Sequence, residues 1–221
     1  FRADIKLVRV DVIVSDDDGE PVTDLTADDF EVFEDGELQA VEQFRLIRVD
    51  GTVEPGAPRP RQLRNAIDAE IELARDDVRL FMLFFDDYHV RLTNSLSVRE
   101  PLIRFVESLG PNDVVGMMYP LTPLDSISFT RNHASVISAI ENFEGRKLDY
   151  TARNLAEQRY ARAPTEIVER IRNEVTVGAV SSRAAHVGGP GEGRTAIIYV
   201  SEGLTAALPP QLRNRDASMG R

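Results

Sequence analysis

The sequence predicts an α/β fold in which a mostly parallel sheet carries helices on both faces, the doubly wound or Rossmann-like arrangement. Three largely apolar segments support this prediction: residues 80–85, 113–119 and 196–200. Short apolar runs of this kind are typical of strands buried on both faces of a parallel sheet. The predicted element order β-α-β-β-α-α-β, with short connections, places the helices on the two faces of that sheet.

The central predicted strand, residues 80–85, runs directly into Asp86 and Asp87. In open α/β sheets, ligands gather at the carboxyl ends of the strands. The last predicted strand ends in Ser201 and Glu202, and parallel strands would bring all these polar ends to one rim. The sequence therefore predicts that any site lies at this rim.

Capping residues mark the predicted helices. Ser97 and Glu100 have the spacing of a capping box and predict a helix that stops at Gly110. Asn132 is predicted to cap the next helix, and Thr165 the last one. The remaining expectations are a short helix at 64–75, a short edge strand at 126–129, a polar loop at 144–154 and a glycine-rich break at 188–193.

The first fifty residues predict a small all-β module. Residues 5–15 alternate apolar and polar side chains, which is the pattern of a half-buried strand. Asp35-Gly36 lies between strand-like runs and predicts a hairpin with a type I′ turn. A further strand is expected at 44–49, and residues 16–21 predict a turn rather than a calcium loop, because the three acidic residues are contiguous.

These patterns divide the chain into three predicted parts. An acidic all-β module occupies residues 1–50, and a Pro/Gly-rich linker with a short helix occupies residues 51–77. The α/β domain spans residues 78–221, and we expect it to be truncated at its C-terminus because the sheet needs further strands.

Charge and composition limit the classes of partner that the protein is expected to bind. Residues 1–50 hold 15 Asp and Glu against 5 Lys and Arg, and the whole chain has a net charge of −11. An acidic surface repels nucleic acid and anionic membranes, so neither is an expected partner. No apolar run approaches the ~20 residues of a membrane-spanning helix. The absence of Cys excludes disulfides and thiolate metal sites.

Four motifs resemble those of the von Willebrand factor A (VWFA)-related proteins of the acidobacterial type. They occur here in the same order as in that family. They lie at residues 12–36, 83–89, 143–150 and 193–203, and the first is the β module that precedes the A domain in that group. The resemblance implies an exported protein, extracellular or periplasmic, that acts in adhesion or protein interaction and has no enzymatic activity.

A domains bind a divalent cation through hydroxyl and carboxylate oxygens, the ligands that hard cations prefer. The resemblance implies Asp86 as the first ligand, Thr151 as the threonine and Glu202 in place of the second Asp. Tyr88 and Val90 stand where the family has serines, so the implied site for Mg²⁺, Mn²⁺ or Ca²⁺ is degenerate.

The sequence leaves several functions open. The first is a module that binds a protein or peptide through Asp87, Tyr88, His89 and Ser201, with Glu202 within ~6 Å of Asp86 if one ion joins them. The second is a metal-dependent hydrolase using Asp86, Asp87, His89 and Glu202 in a deep pocket. Three other interpretations remain: a transition-metal cluster of Asp87, His89 and Glu202, a purely structural envelope domain, and a simple polar strand exit.

Overall fold

The computed structural model describes residues 8, 10, 12–44, 62–64, 66–75, 77–187 and 194–205. The chain divides into two compact units, residues 1–48 and residues 49–221. Predictions for residues 45–61, 188–193 and 206–221 lie outside the described residues.

The second unit contains a four-stranded, mostly parallel sheet. Its central strand β3, Arg79–Phe85, pairs in parallel with β4, Val114–Met118, and with β6, Arg194–Val200. The short strand β5, Phe129–Thr130, lies antiparallel to β4 at the edge. The strand order is β5-β4-β3-β6. This arrangement confirms the predicted mixed α/β class and the parallel course of the three apolar segments.

The described residues contain five α-helices. They are α1 Ala66–Leu73, α2 Leu92–Glu107, α3 His133–Glu141, α4 Leu155–Gln158 and α5 Thr165–Val187. Among the described residues, no helix is both long and apolar enough to cross a bilayer.

Both faces of β3 are buried, which explains its uninterrupted apolar sequence. Leu83 and Phe85 point into a cluster with α2 and α3, whereas Met82 and Phe84 point into a cluster with α5. All four side chains are at most 1% exposed. Complete burial of such a side chain contributes about 1.5–3 kcal/mol, so this strand anchors both layers.

Two predicted boundaries are wrong. The segment 126–129 is not a continuous strand: a 3₁₀ turn occupies Leu124–Ser126, and the strand is limited to Phe129–Thr130. Ser126 donates through both its N–H and its hydroxyl to the Pro123 carbonyl, a local contact that favours the turn. Helix α2 begins at Leu92, well before Ser97. Its start is held by Glu202, which is distant in sequence.

The first unit contains the predicted hairpin. Strand β1, Val32–Glu34, pairs antiparallel with β2, Glu37–Gln39. Asp35 and Gly36 both have positive φ, 52° and 85°, as a type I′ turn requires. A 3₁₀ turn at Ala27–Asp29 precedes the hairpin.

The strand predicted at 5–15 is not formed in its described part. Residues 12–14 have no strand structure, and Ser15 makes only an isolated bridge to Pro21. Val8, Val10 and Val12, on the face that the alternation predicts to be covered, are 77%, 60% and 56% exposed, so nothing in the described structure covers that face. The turn predicted at 16–21 is present, because an Asp16 carboxylate oxygen accepts from the N–H groups of Asp18 and Glu20.

Candidate functional site

The carboxyl ends of β3 and β6 form one rim, as the sequence predicts. The N–H of Asp86 donates to the Val200 carbonyl, and the N–H of Glu202 donates to the His89 carbonyl. These two contacts join the exits of the strands directly.

Asp86 lies at the centre of the rim but is fully buried. Its carboxylate accepts from His89 Nδ1 at 2.8 Å, Ser201 Oγ at 2.7 Å, Tyr199 Oη at 2.8 Å and Thr176 Oγ1 at 3.2 Å. Burial alone would raise the pKa of Asp86, but His89 and the hydroxyls of Ser201 and Tyr199 hold it below its ordinary value. The carboxylate is therefore charged and already supplied with donors.

Both ring nitrogens of His89 face oxygen atoms of other side chains. Its Nδ1 faces the Asp86 carboxylate, and its Nε2 lies 2.8 Å from Oδ1 of Asn173. The Asn173 amide is oriented by Thr205, whose carbonyl accepts from Nδ2 and whose N–H donates to Oδ1. Both ring nitrogens of His89 are therefore occupied by internal hydrogen-bond partners.

Asp87 belongs to a second buried network. Arg146 donates through its backbone N–H to the Asp87 carbonyl and through Nε to the Asp87 carboxylate. The same guanidinium donates to both oxygens of Glu157, which also accepts from the Tyr88 hydroxyl at 3.0 Å. Burial raises the pKa of Asp87, and the charge of Arg146 opposes this only in part. For Glu157, burial would raise the pKa, but Arg146, the Arg153 N–H and the Tyr88 hydroxyl together lower it to about 2.

Aromatic rings and guanidinium groups alternate beside this network. The Tyr88 ring lies 4.7 Å from the guanidinium carbons of both Arg146 and Arg172. Arg172 is also 5.0 Å from the Tyr150 ring, whose hydroxyl donates to Glu169 at 2.7 Å. Cation–π contacts of this kind stabilise desolvated arginines. They fasten the loop that contains Arg146 and Tyr150 to helix α5.

Gly145 lets this loop reach the exit of β3. A Cβ atom at position 145 would lie 2.3 Å from the Val90 carbonyl oxygen. The next contact is the Lys147 N–H, which donates to that same oxygen at 2.9 Å. Only glycine allows this backbone approach.

Glu202 holds the start of helix α2. One carboxylate oxygen accepts from the Arg91 N–H at 2.6 Å and from Asn94 Nδ2 at 2.8 Å. The other faces Arg91 Nη1 at 2.9 Å and Lys147 Nζ at 3.5 Å. Burial would raise the pKa of Glu202, but Arg91, Asn94 and Lys147 hold it below its ordinary value. A carboxylate at this position complements the helix dipole.

The arrangement does not fit the implied divalent cation. The Asp86 carboxylate accepts four internal hydrogen bonds, and Glu202 is paired with a different set of groups. Thr151 is exposed, and its N–H donates to Asp149. The described part of the chain contains no group of three or more His, Cys, Asp or Glu that could hold a metal ion.

The residues predicted to bind a partner occupy different environments. Tyr88 and His89 are completely buried and cannot contact a partner directly, whereas Asp87 and Ser201 are half-buried. The hydrolase interpretation needs a free base, but both nitrogens of His89 are engaged.

Sequence reasoning missed the groups that complete both networks. They are Tyr199, Asn173 and Thr176 around Asp86, and Arg146, Glu157 and Arg172 around Asp87. The sequence signals for these groups were polar residues within α5 near its apolar positions at 167, 171 and 175, charges in the loop 144–157, and a tyrosine near the end of the predicted strand 196–200.

Comparison with known proteins assigns no relative to this chain: no family model matches it, and neither the curated proteins nor the solved structures contain a significant match.

Proposed function

We propose that the α/β unit is a non-enzymatic protein-binding module of the von Willebrand A type, whose partner contacts the rim at the carboxyl ends of β3 and β6. The observation that carries the proposal is the internal saturation of Asp86, which leaves the rim to act as a rigid surface. The four-motif resemblance supports an exported interaction protein, extracellular or periplasmic.

The proposed contact surface surrounds the Glu202–Arg91 ion pair. The Arg91 side chain is 57% exposed, and Leu92 and Leu96 on the first turns of α2 are 55% and 56% exposed. Residues four apart lie on the same side of a helix, so the two leucines form one apolar spot. An apolar spot bordered by an arginine has the composition of a binding surface.

Partner binding in this proposal does not use a cation. Mg²⁺, Mn²⁺ or Ca²⁺ would have to displace at least one donor from the fully buried Asp86 carboxylate. Calorimetric titration of each ion into the protein is therefore expected to give no saturable heat. Stoichiometric binding that Asp86→Asn abolishes would restore the cation-dependent version of the site.

Photo-crosslinking in the producing cells tests the contact surface. The photoreactive residue p-benzoylphenylalanine replaces Leu96, and the matched control replaces Ile71, which is 46% exposed on α1. We expect a discrete protein adduct from position 96 and none from position 71. The proposal fails if position 96 gives no adduct, or if both positions give the same one.

A further inference from the structure

The first unit has no buried residue in its described part. Every described residue from 12 to 44 is exposed or half-buried. A two-stranded hairpin is marginally stable in water unless another element covers one of its faces. The β1–β2 hairpin is therefore a surface that gains stability when something packs on it.

The two faces of the hairpin differ in chemistry. Phe33 and Leu38 are direct cross-strand partners on one face and are 58% and 64% exposed. Glu34 and Glu37 are the next cross-strand pair, on the opposite face. Like charges in this position repel one another, so a cation placed between them would stabilise the hairpin.

The charge of this segment is all of one sign. Residues 10–44 contain thirteen Asp and Glu and no Lys or Arg. Within the described residues 12–44, none of the carboxylates has a cationic partner. Such a surface repels a second copy of itself and any anionic polymer, and it attracts a basic partner.

We propose that the β1–β2 hairpin binds a basic, extended segment of a partner protein by strand addition. Each strand of the two-stranded sheet has an outer edge without a described neighbour. Side chains of an added strand alternate between the faces, so apolar residues would pack on Phe33 and Leu38 while Lys or Arg would pair with Glu34 and Glu37. This surface belongs to the first unit and does not depend on the proposed function of the rim.

Model peptides test this inference on the full chain. The probe is fluorescently labelled acetyl-KVKVKVK-amide, and the controls are acetyl-EVEVEVE-amide and the block sequence acetyl-KKKKVVV-amide. Anisotropy titration is expected to show saturable binding of the first peptide that weakens with salt, with affinity at least about tenfold lower for both controls. Equal affinity for the alternating and block peptides would overturn strand addition.

Charge-matched variants separate the hairpin from general attraction to an acidic protein. Glu34→Gln with Glu37→Gln is expected to lower the affinity about tenfold, whereas Glu100→Gln with Glu107→Gln on α2 leaves it unchanged. In the wild-type protein, peptide-induced amide shifts are expected at residues 32–39, which tests the site even if a variant unfolds. Shifts confined to the α/β unit, or equal losses in both double variants, would refute the proposal.

Discussion

At the scale of single residues, Asp86 shows how a strand-end carboxylate becomes structural. Its two oxygens accept hydrogen bonds from the His89 ring and from three hydroxyl groups. An asparagine at this position would have to present its NH₂ group to some of these donors. The position therefore requires a carboxylate rather than any side chain of that shape.

Asp86→Asn is expected to destabilise the protein by about 3–5 kcal/mol, because it removes a buried carboxylate that accepts from His89 and from three hydroxyl groups. Urea unfolding at neutral pH measures the loss. Asp125→Asn, at an exposed position of the 3₁₀ turn, is the matched control and is expected to have little effect. Equal stabilities of the two variants would contradict a structural role for the buried Asp86 network.

Two glycines provide a paired test of backbone space. Gly145→Ala is expected to lower the free energy of unfolding by at least about 1–3 kcal/mol, because the new methyl group would clash with the Val90 carbonyl oxygen. Gly178→Ala, in α5 with open space around the site, is expected to stabilise by about 1 kcal/mol through helix propensity. Thermal unfolding of both variants measures the difference, and a stable Gly145→Ala protein would show that the loop does not need this approach.

The sequence located Asp86, Asp87, Ser201 and Glu202 at the rim because a strand end is a local pattern. It could not identify Asn173 as the acceptor for His89. The apolar spacing of a helix predicts which side faces the sheet, but not which polar residue on that side meets which group. The metal hypothesis did not foresee the saturation of Asp86 for the same reason, since that saturation depends on residues 90 and more positions away.

At the scale of elements, helix α2 shows a local signal overridden by a tertiary contact. Ser97 and Glu100 have capping-box spacing, but they lie inside the helix. Arg91, the residue before the helix, offers no capping side chain, and Glu202 accepts its N–H instead. A capping partner 111 residues away in sequence cannot be found from local patterns.

Glu202→Ala is expected to loosen the first turn of α2. The lost carboxylate contributes about 0.3–1 kcal/mol at a helix N-terminus, so amides near Asn94 would exchange several times faster. Hydrogen exchange followed by mass spectrometry or NMR measures this change. Glu107→Ala, at the other end of the helix, is the control, and unchanged exchange near Asn94 in Glu202→Ala would disprove the capping role.

At the scale of the whole molecule, the fold class followed from the sequence because strand burial and element order are encoded in long segments. The three apolar runs form parallel neighbours, with β3 at the centre. The alternation at 5–15 misled because a period of two predicts a strand only where a covering surface exists. Val8, Val10 and Val12, which form the apolar face of the predicted strand, have none in the described structure.

Stability as a whole is expected to fall on acidification. Glu157 has a folded-state pKa of about 2 against an ordinary value of 4.5, so the unfolded chain binds its proton first. Its contribution is complete above pH 4.5 and is lost as the pH falls towards 2. The lowered pKa of Asp86 acts in the same direction, whereas the raised pKa of Asp87 acts against it.

Urea unfolding at pH 5 and pH 3 of the wild type and Glu157→Gln isolates this contribution. The stability difference between the two proteins is expected to shrink at pH 3, where the unfolded wild type has taken up the proton. Glu100→Gln, whose side chain is 77% exposed, serves as the control. A difference that stays constant with pH would show that the ion pair with Arg146 does not set the acid response.

The Asn173 amide pairs with both main-chain groups of Thr205, its oxygen with the N–H and its nitrogen with the carbonyl. One side chain thus imitates a neighbouring strand just beyond the end of β6. Deleting that amide would strip two backbone groups of their partners at once. The segment that follows β6 would then lose its ordered backbone conformation, as an edge strand does when its neighbour is removed.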